Sequence, residues 1–176
     1  MWGHHPGWVR CHPTLSSFQP VSVGDAELLG APLFPGTVLD KVWSRRCGDF
    51  ARAVDRLALI GAQDALILLR ASFSAAKVLY LMRCSSSAEN HGLQVFDDFL
   101  RSAVSKITNS DLSDIQWLQA SMPIKLGGLG VRRVTSLAIP AFLASAASTL
   151  PLQDHILASF WHHPGTVSVH LVVFSW

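Results

Sequence analysis

Residues 121–133, SMPIKLGGLGVRR, set Gly127, Gly128 and Gly130 between Lys125 and the pair Arg132 and Arg133. Glycines beside basic side chains are the raw material of a phosphate-cradling loop, because backbone N–H groups can approach an anion where no Cβ intervenes. The spacing argues otherwise. A P-loop carries Lys and then Ser or Thr directly after its last glycine, and a dinucleotide fingerprint spaces its glycines G-x-G-x-x-G behind a strand. GGLG does neither, and the residues ahead of it read as helix. The expectation is a structural turn in which Gly127, Gly128 and Gly130 permit positive φ while Leu129 and Val131 pack into the core. No cofactor is expected.

Other chemistry-bearing residues are thinner signals. VFDDF (95–99) puts Asp97 and Asp98 together, and paired carboxylates can hold a divalent metal for phosphoryl transfer. Neighbours on a helix point about 100° apart, no third acid sits nearby, and the reading is a solvated helix face. Of the eight histidines, His4, His5 and His12 cluster with Cys11, and His162 and His163 form a second pair. None has zinc-module spacing, so no metal site is expected. No GxSxG elbow is present. The strongest signal is Lys41, Arg45, Arg52 and Arg56, which fall in one arc at 100° per residue. Such a stripe could follow a nucleic-acid backbone and release counterions. On spacing alone it reads first as a solvated face, with Asp49 and Asp55 near its edges partly neutralising it.

The elements that would carry these residues are mainly helical. Residues 1–24 read as an irregular arm and 26–36 as a short extended piece followed by a turn. A helix is predicted from Thr37 to Ile60, capped by Thr37 or Asp40 and ended by Gly61, with Leu39, Val42, Trp43, Phe50, Val54 and Leu57 as its apolar stripe. A second, about 63–83, is apolar nearly all round, with a thin wet edge of Gln63, Arg70, Ser74 and Lys77. It reads as the middle of a bundle. A third spans about 93–107, with Leu93, Phe96, Leu100, Val104 and Ile107 inward and Asp97, Asp98, Arg101 and Ser105 elsewhere. A short helix follows, capped by Asp111 or Ser113, anchored by Trp117 and Leu118 and ended by Pro123. The last helix runs from about Thr135 to Leu150, where Pro140 is tolerated only in the first turn. Beyond it, TVSVHLVVF alternates like a strand.

Composition sets the frame. The chain has 176 residues, about half of them apolar and 15% charged, with a net charge of +2. That suits one globular domain and excludes a disordered polyion. Three scattered cysteines make no disulfide framework and read as free thiols. The N-terminus has no apolar run of signal-peptide length. Residues 134–153 are uncharged and long enough to span a bilayer, but their Ser, Thr, Pro and Ala content favours a buried soluble helix and no membrane.

Several phrases together resemble the region after the polymerase core of non-LTR retrotransposon reverse transcriptases. They are LLGAPL (28–33), LLRASFSAAKVLYLMR (68–83), FDDFLR (96–101) and, most specifically, WLQASMPIKLGGLGVRRVTSLAIPAFLASAAST (117–149). The likeness covers about residues 27–159. In that family the catalytic aspartates lie in a FADD-type hairpin upstream of the LLGAPL-like phrase, where this chain has only the irregular arm. The resemblance therefore implies a catalytically incompetent, thumb- or connection-like segment and no enzyme. It also implies a place near an RNA or DNA duplex, while the free thiols read as those of a reducing, intracellular compartment, with nucleus and cytoplasm both left open. It adds weight to Lys41, Arg45, Arg52, Arg56, Arg132 and Arg133 as backbone-contacting residues. The expectation is a mostly α-helical bundle of about five helices over 25–159, flanked by the arm (1–24) and an apolar tail (160–176). Both ends lie outside the likeness and read as sequence acquired by truncation or mis-splicing. A helical module that pairs with another protein chain is the alternative.

Overall fold

The computed structural model describes residues 21–34 and 36–161. The expectations for the N-terminal arm before residue 21, the His4/His5/Cys11/His12 cluster, His162 and His163, and the strand-like tail lie outside the described residues. Within them the fold is a mostly α-helical bundle. A turn at Val23–Asp25 leads into a minimal antiparallel ladder, β1 (Glu27–Leu28) with β2 (Ala31–Pro32). Leu29 and Gly30, both at positive φ (54° and 80°), form its two-residue turn. That conformation matches the right-handed twist of paired strands.

Helix α1 (Thr37–Leu57) buries the predicted stripe and also Val38 and Cys47. Its cap differs from expectation. Gly36 occupies the N-cap with no side-chain hydrogen bond, and Asp40 instead accepts from Asn90 Nδ2 at 2.7 Å. The helix closes at Leu57 and a turn carries the chain to Gly61, which opens α2 (Ala62–Leu68) rather than ending α1.

The predicted second helix is interrupted. After α2 comes a π-helical turn, Leu69–Phe73, then α3 (Ala75–Cys84). The break is at Ser74, whose ψ of −137° leaves the helical region. Its N–H reaches back five residues to Leu69 and its hydroxyl donates to the Arg70 carbonyl. Local i→i+5 pairing of this kind widens and bends a helix. The predicted wet edge is therefore wrong at Ser74, which is buried. The central position is wrong too, because Ile67, Leu68, Leu79 and Tyr80 are exposed. Counted with α3 as one bent helix, α2 brings the bundle to the five helices expected.

Helix α4 (His91–Thr108) is the hub. Asn90 caps it by accepting from the Gly92 N–H. It ends in a Schellman turn, with Asn109 left-handed and the Ser110 N–H on Ser105. Phe96 meets Trp43 edge-on at 6.2 Å and Phe50 at 4.8 Å. The Trp43 indole donates to Ser87, so its one polar atom is satisfied in the core. Helix α5 (Asp114–Ser121) starts with a complete capping box, Ser113 with Gln116. Trp117 anchors it; Leu118, the other expected anchor, is exposed. Arg101 ties α4 to α5 through Asp114 and the Leu112 carbonyl.

Helix α6 (Val134–Trp161) packs chiefly against α3 and also against α4. It is longer than predicted and includes Pro140 and Pro151. Neither proline has an N–H to offer the carbonyl four residues earlier. The expectation of a buried helix fails. Val134 and Ala138 are core residues, yet Ile139, Leu143, Leu150 and Leu152 are exposed. By length and apolar composition, Ala62–Cys84 and Val134–Ala158 each reach the size of a bilayer span.

Candidate nucleic-acid interface

The glycine segment resolves as a turn. Pro123 ends α5, a 3-10 turn covers Ile124–Leu126, and Gly127 and Gly130 sit at φ of 80° and 75°. Gly128 is needed for a different reason: a Cβ there would collide with the Met122 carbonyl. Every N–H from Gly127 to Gly130 is already engaged. Gly127 donates to Ile124, Gly128 to Pro123, Leu129 to Ala120 and Gly130 to Met122. A phosphate would find no free donor among these four, so the loop is spent on closing the turn. Val131 is fully buried and Leu129 packs on the core. Gly130 lies under the aliphatic stem of Arg70, where an added Cβ would stand 2.9 Å from Arg70 Cδ.

The two aspartates of FDDF part company. Asp98 is exposed and accepts from Gln94. Asp97 is buried, which corrects the expectation of a solvated face. Its Oδ1 accepts from the Val134 N–H at 2.7 Å. Its Oδ2 accepts from the Thr135 N–H at 3.1 Å and the Thr135 hydroxyl at 2.6 Å. An α4 carboxylate thus caps the N-terminus of α6, where orphan N–H groups and the helix dipole favour negative charge. Burial raises the Asp97 carboxyl above its ordinary value, opposed by the hydrogen bonds from Thr135 and Val134 and by the Arg133 charge. Among the described residues, no three His, Cys, Asp or Glu side chains gather as a metal-ligand set.

Lys41, Arg45, Arg52 and Arg56 all lie on the exposed face of α1, as their spacing predicts. Three are ion-paired. Lys41 meets Asp25 at 3.4 Å, Arg45 meets Glu27 at 3.0 Å, and Arg52 meets Asp49. Asp49 was foreseen as a neutralising neighbour. Asp25 and Glu27 were not, because they come from the turn and β1, which only the tertiary fold lays beside α1. Exposed pairs of this kind are weak and exchange readily.

Arg56 makes no ion pair among the described residues. It lines an open groove with Arg52, Lys77 and Asp49 over a floor that includes Leu57, Leu68 and Phe73. Lys77 also lacks an ion pair among the described residues and comes from α3, across the bend from α1. Sequence periodicity assigned it to a wet stripe of another helix, and nothing local shows that it shares a groove with Arg56. Arg132 and Arg133 are not part of this groove. Arg132 is exposed, and Arg133 is half-buried and donates to Ser136 in the first turn of α6.

The cysteines in view are free thiols. Burial pushes the Cys47 thiol up to about 11, and Cys84 is exposed. Comparison with known proteins finds no matching family model, no similar curated protein and no similar solved structure.

Proposed function

We propose that this helical unit is an accessory nucleic-acid-binding element without polymerase activity of its own. It holds an RNA or DNA duplex weakly and without sequence preference through phosphate contacts. The observation that carries the reading is the convergence of Arg52, Arg56 and Lys77 on one groove beside the exposed basic face of α1. Cations on a helix face can track a phosphate backbone, and such contacts position a protein without reading bases. Weakness follows from the ion pairs: Lys41, Arg45 and Arg52 must each leave a carboxylate to reach a phosphate. The sequence resemblance to the post-core region of non-LTR reverse transcriptases agrees with a place beside a duplex. The absence of polymerase activity rests on that resemblance, because the phrases shared with the family lie after its catalytic hairpin.

A salt titration of binding to a primer–template hybrid tests this. With two or three phosphates neutralised, log K should fall with log salt at a slope of about −2 to −3. The triple substitution Arg52→Ala, Arg56→Ala, Lys77→Ala should flatten that slope and weaken binding alike on unrelated sequences. Equal binding by wild type and variant at low salt would remove the groove from the account. Primer extension by the purified chain would remove the accessory reading.

A further inference from the structure

We infer that the groove of Arg52, Arg56 and Lys77 holds an unpaired nucleotide beside the duplex, its base on Phe73 and its phosphate on the cations, a site that rests on the backbone reading above and uses the floor which that reading leaves bare. The groove combines two chemistries. Its rim is cationic, with Arg52 and Arg56 from α1 and Lys77 from α3. Its floor is apolar, made by Leu57, Ile60, Leu68 and Phe73. Ile60 and Leu68 are 44% and 41% exposed, and Phe73 is half-buried. The rings of Trp43, Phe50 and Phe96 meet one another in the core, whereas Phe73 stacks on no other ring among the described residues. The volume, about 470 Å³, is that of a cleft for a small ligand.

A duplex satisfies only the rim. Its bases are paired and stacked inward, and contacts to its phosphates leave Ile60, Leu68 and Phe73 facing water. An unpaired nucleotide satisfies rim and floor together, because one flexible unit carries an anionic phosphate and a flat apolar face. A positively charged groove that contains an aromatic side chain is how proteins hold single strands without sequence preference, since every base has a π-face.

Asp49 selects further. It also lines the groove, as a hydrogen-bond acceptor beside Arg52. Base edges carry N–H donors that can meet it. An anionic lipid would also suit cations above an apolar floor, but its acyl chain has no donor for Asp49.

Fluorescence anisotropy with the full chain tests this on three labelled substrates of equal duplex length: one blunt, one with a short single-stranded overhang, and one with the same overhang made abasic. The natural overhang should tighten binding about tenfold over the blunt duplex, toward the low end of what one stacked base contributes, and alike for unrelated overhang sequences. The abasic overhang keeps every phosphate and should lose that gain, a comparison that needs no variant. Phe73→Leu keeps an apolar side chain in the half-buried position and should bring the ratio of overhang to blunt binding close to one. A gain that survives in the abasic substrate would assign it to added phosphate and overturn the inference. So would equal binding of overhang and blunt duplexes, a ratio that Phe73→Leu leaves intact, or Phe73-dependent binding to phosphatidylserine vesicles without an overhang gain. The salt slope on the blunt duplex reports the backbone reading separately. Loss of the overhang gain with that slope intact removes only the base site, and a blunt duplex that does not bind removes the backbone reading itself.

Discussion

Helices α1 and α6 make opposite use of apolar residues. In α1 a stripe with 3.6 periodicity is buried along its whole length, and the remaining face carries charge. Helix α6 is apolar around most of its circumference, yet only its first turns enter the core. What differs is the support opposite each helix. Helix α1 lies along α4, and 21 and 18 residues are a near match in length. Helix α6 packs chiefly on α3, and 28 residues at 1.5 Å each run to about 42 Å against about 15 Å for α3. Hydrophobic composition states that a surface prefers cover, and the geometry of neighbouring elements decides whether the monomer supplies it.

Substitutions can break or sharpen this contrast. The largest effect should come from Phe96→Ala, which empties the site shared with Trp43 and Phe50 and should cost about 3–5 kcal/mol in chemical denaturation. A loss under 1 kcal/mol would mean that the α1–α4 seam is looser than the ring contacts imply. Asp97→Ala comes next, at about 2–3 kcal/mol, because it strands the Val134 and Thr135 donors at the buried start of α6. Amide exchange should then rise first at Val134 and Thr135; faster exchange confined to α1 would contradict the cap.

The same carboxylate sets a pH dependence. Because burial raises its value above 3.8, the folded state holds the proton to higher pH than the unfolded chain does. Its contribution to stability is full below 3.8 and declines as pH rises through the raised value. Asp97→Asn should flatten the fall in stability in that window, measured by urea midpoints from about pH 4 to 7. An unchanged profile would assign the dependence to other groups.

Gly127→Ala should cost about 1 kcal/mol, from positive φ alone, since the space around it is open. Leu143→Ala should shift the stability of the dilute protein by no more than about 0.5 kcal/mol. A core-sized loss there would mean that α6 is covered within one chain, and the contrast with α1 would dissolve.

Much of the fold could be read before the structure. The α1 stripe, the inward face of α4, the Ser113 cap and the positive-φ turn all follow from residue spacing and backbone sterics within a few residues. The basic stripe was visible for the same reason, since four cations at helical spacing share a face wherever the helix lies. Three features were out of reach. The break at Ser74 depends on a π turn that no proline or glycine announces. Asp97 and Asp98 are equivalent in sequence, and only the arrival of α6 buries one of them. Lys77 lines one groove with Arg52 and Arg56, residues more than twenty positions away on another helix.

Residue order alone determined that the chain is mainly helical, the buried stripe of α1, the inward face of α4, the Ser113 cap and the positive-φ turn at Gly127 and Gly130, because these are set by interactions between near neighbours along the chain. The tertiary structure alone decided that Lys41 and Arg45 pair with Asp25 and Glu27, which aspartate becomes a cap and how much of α6 is left uncovered. Those outcomes depend on partners 16 to 38 residues away, whose approach is governed by the packing of separate elements.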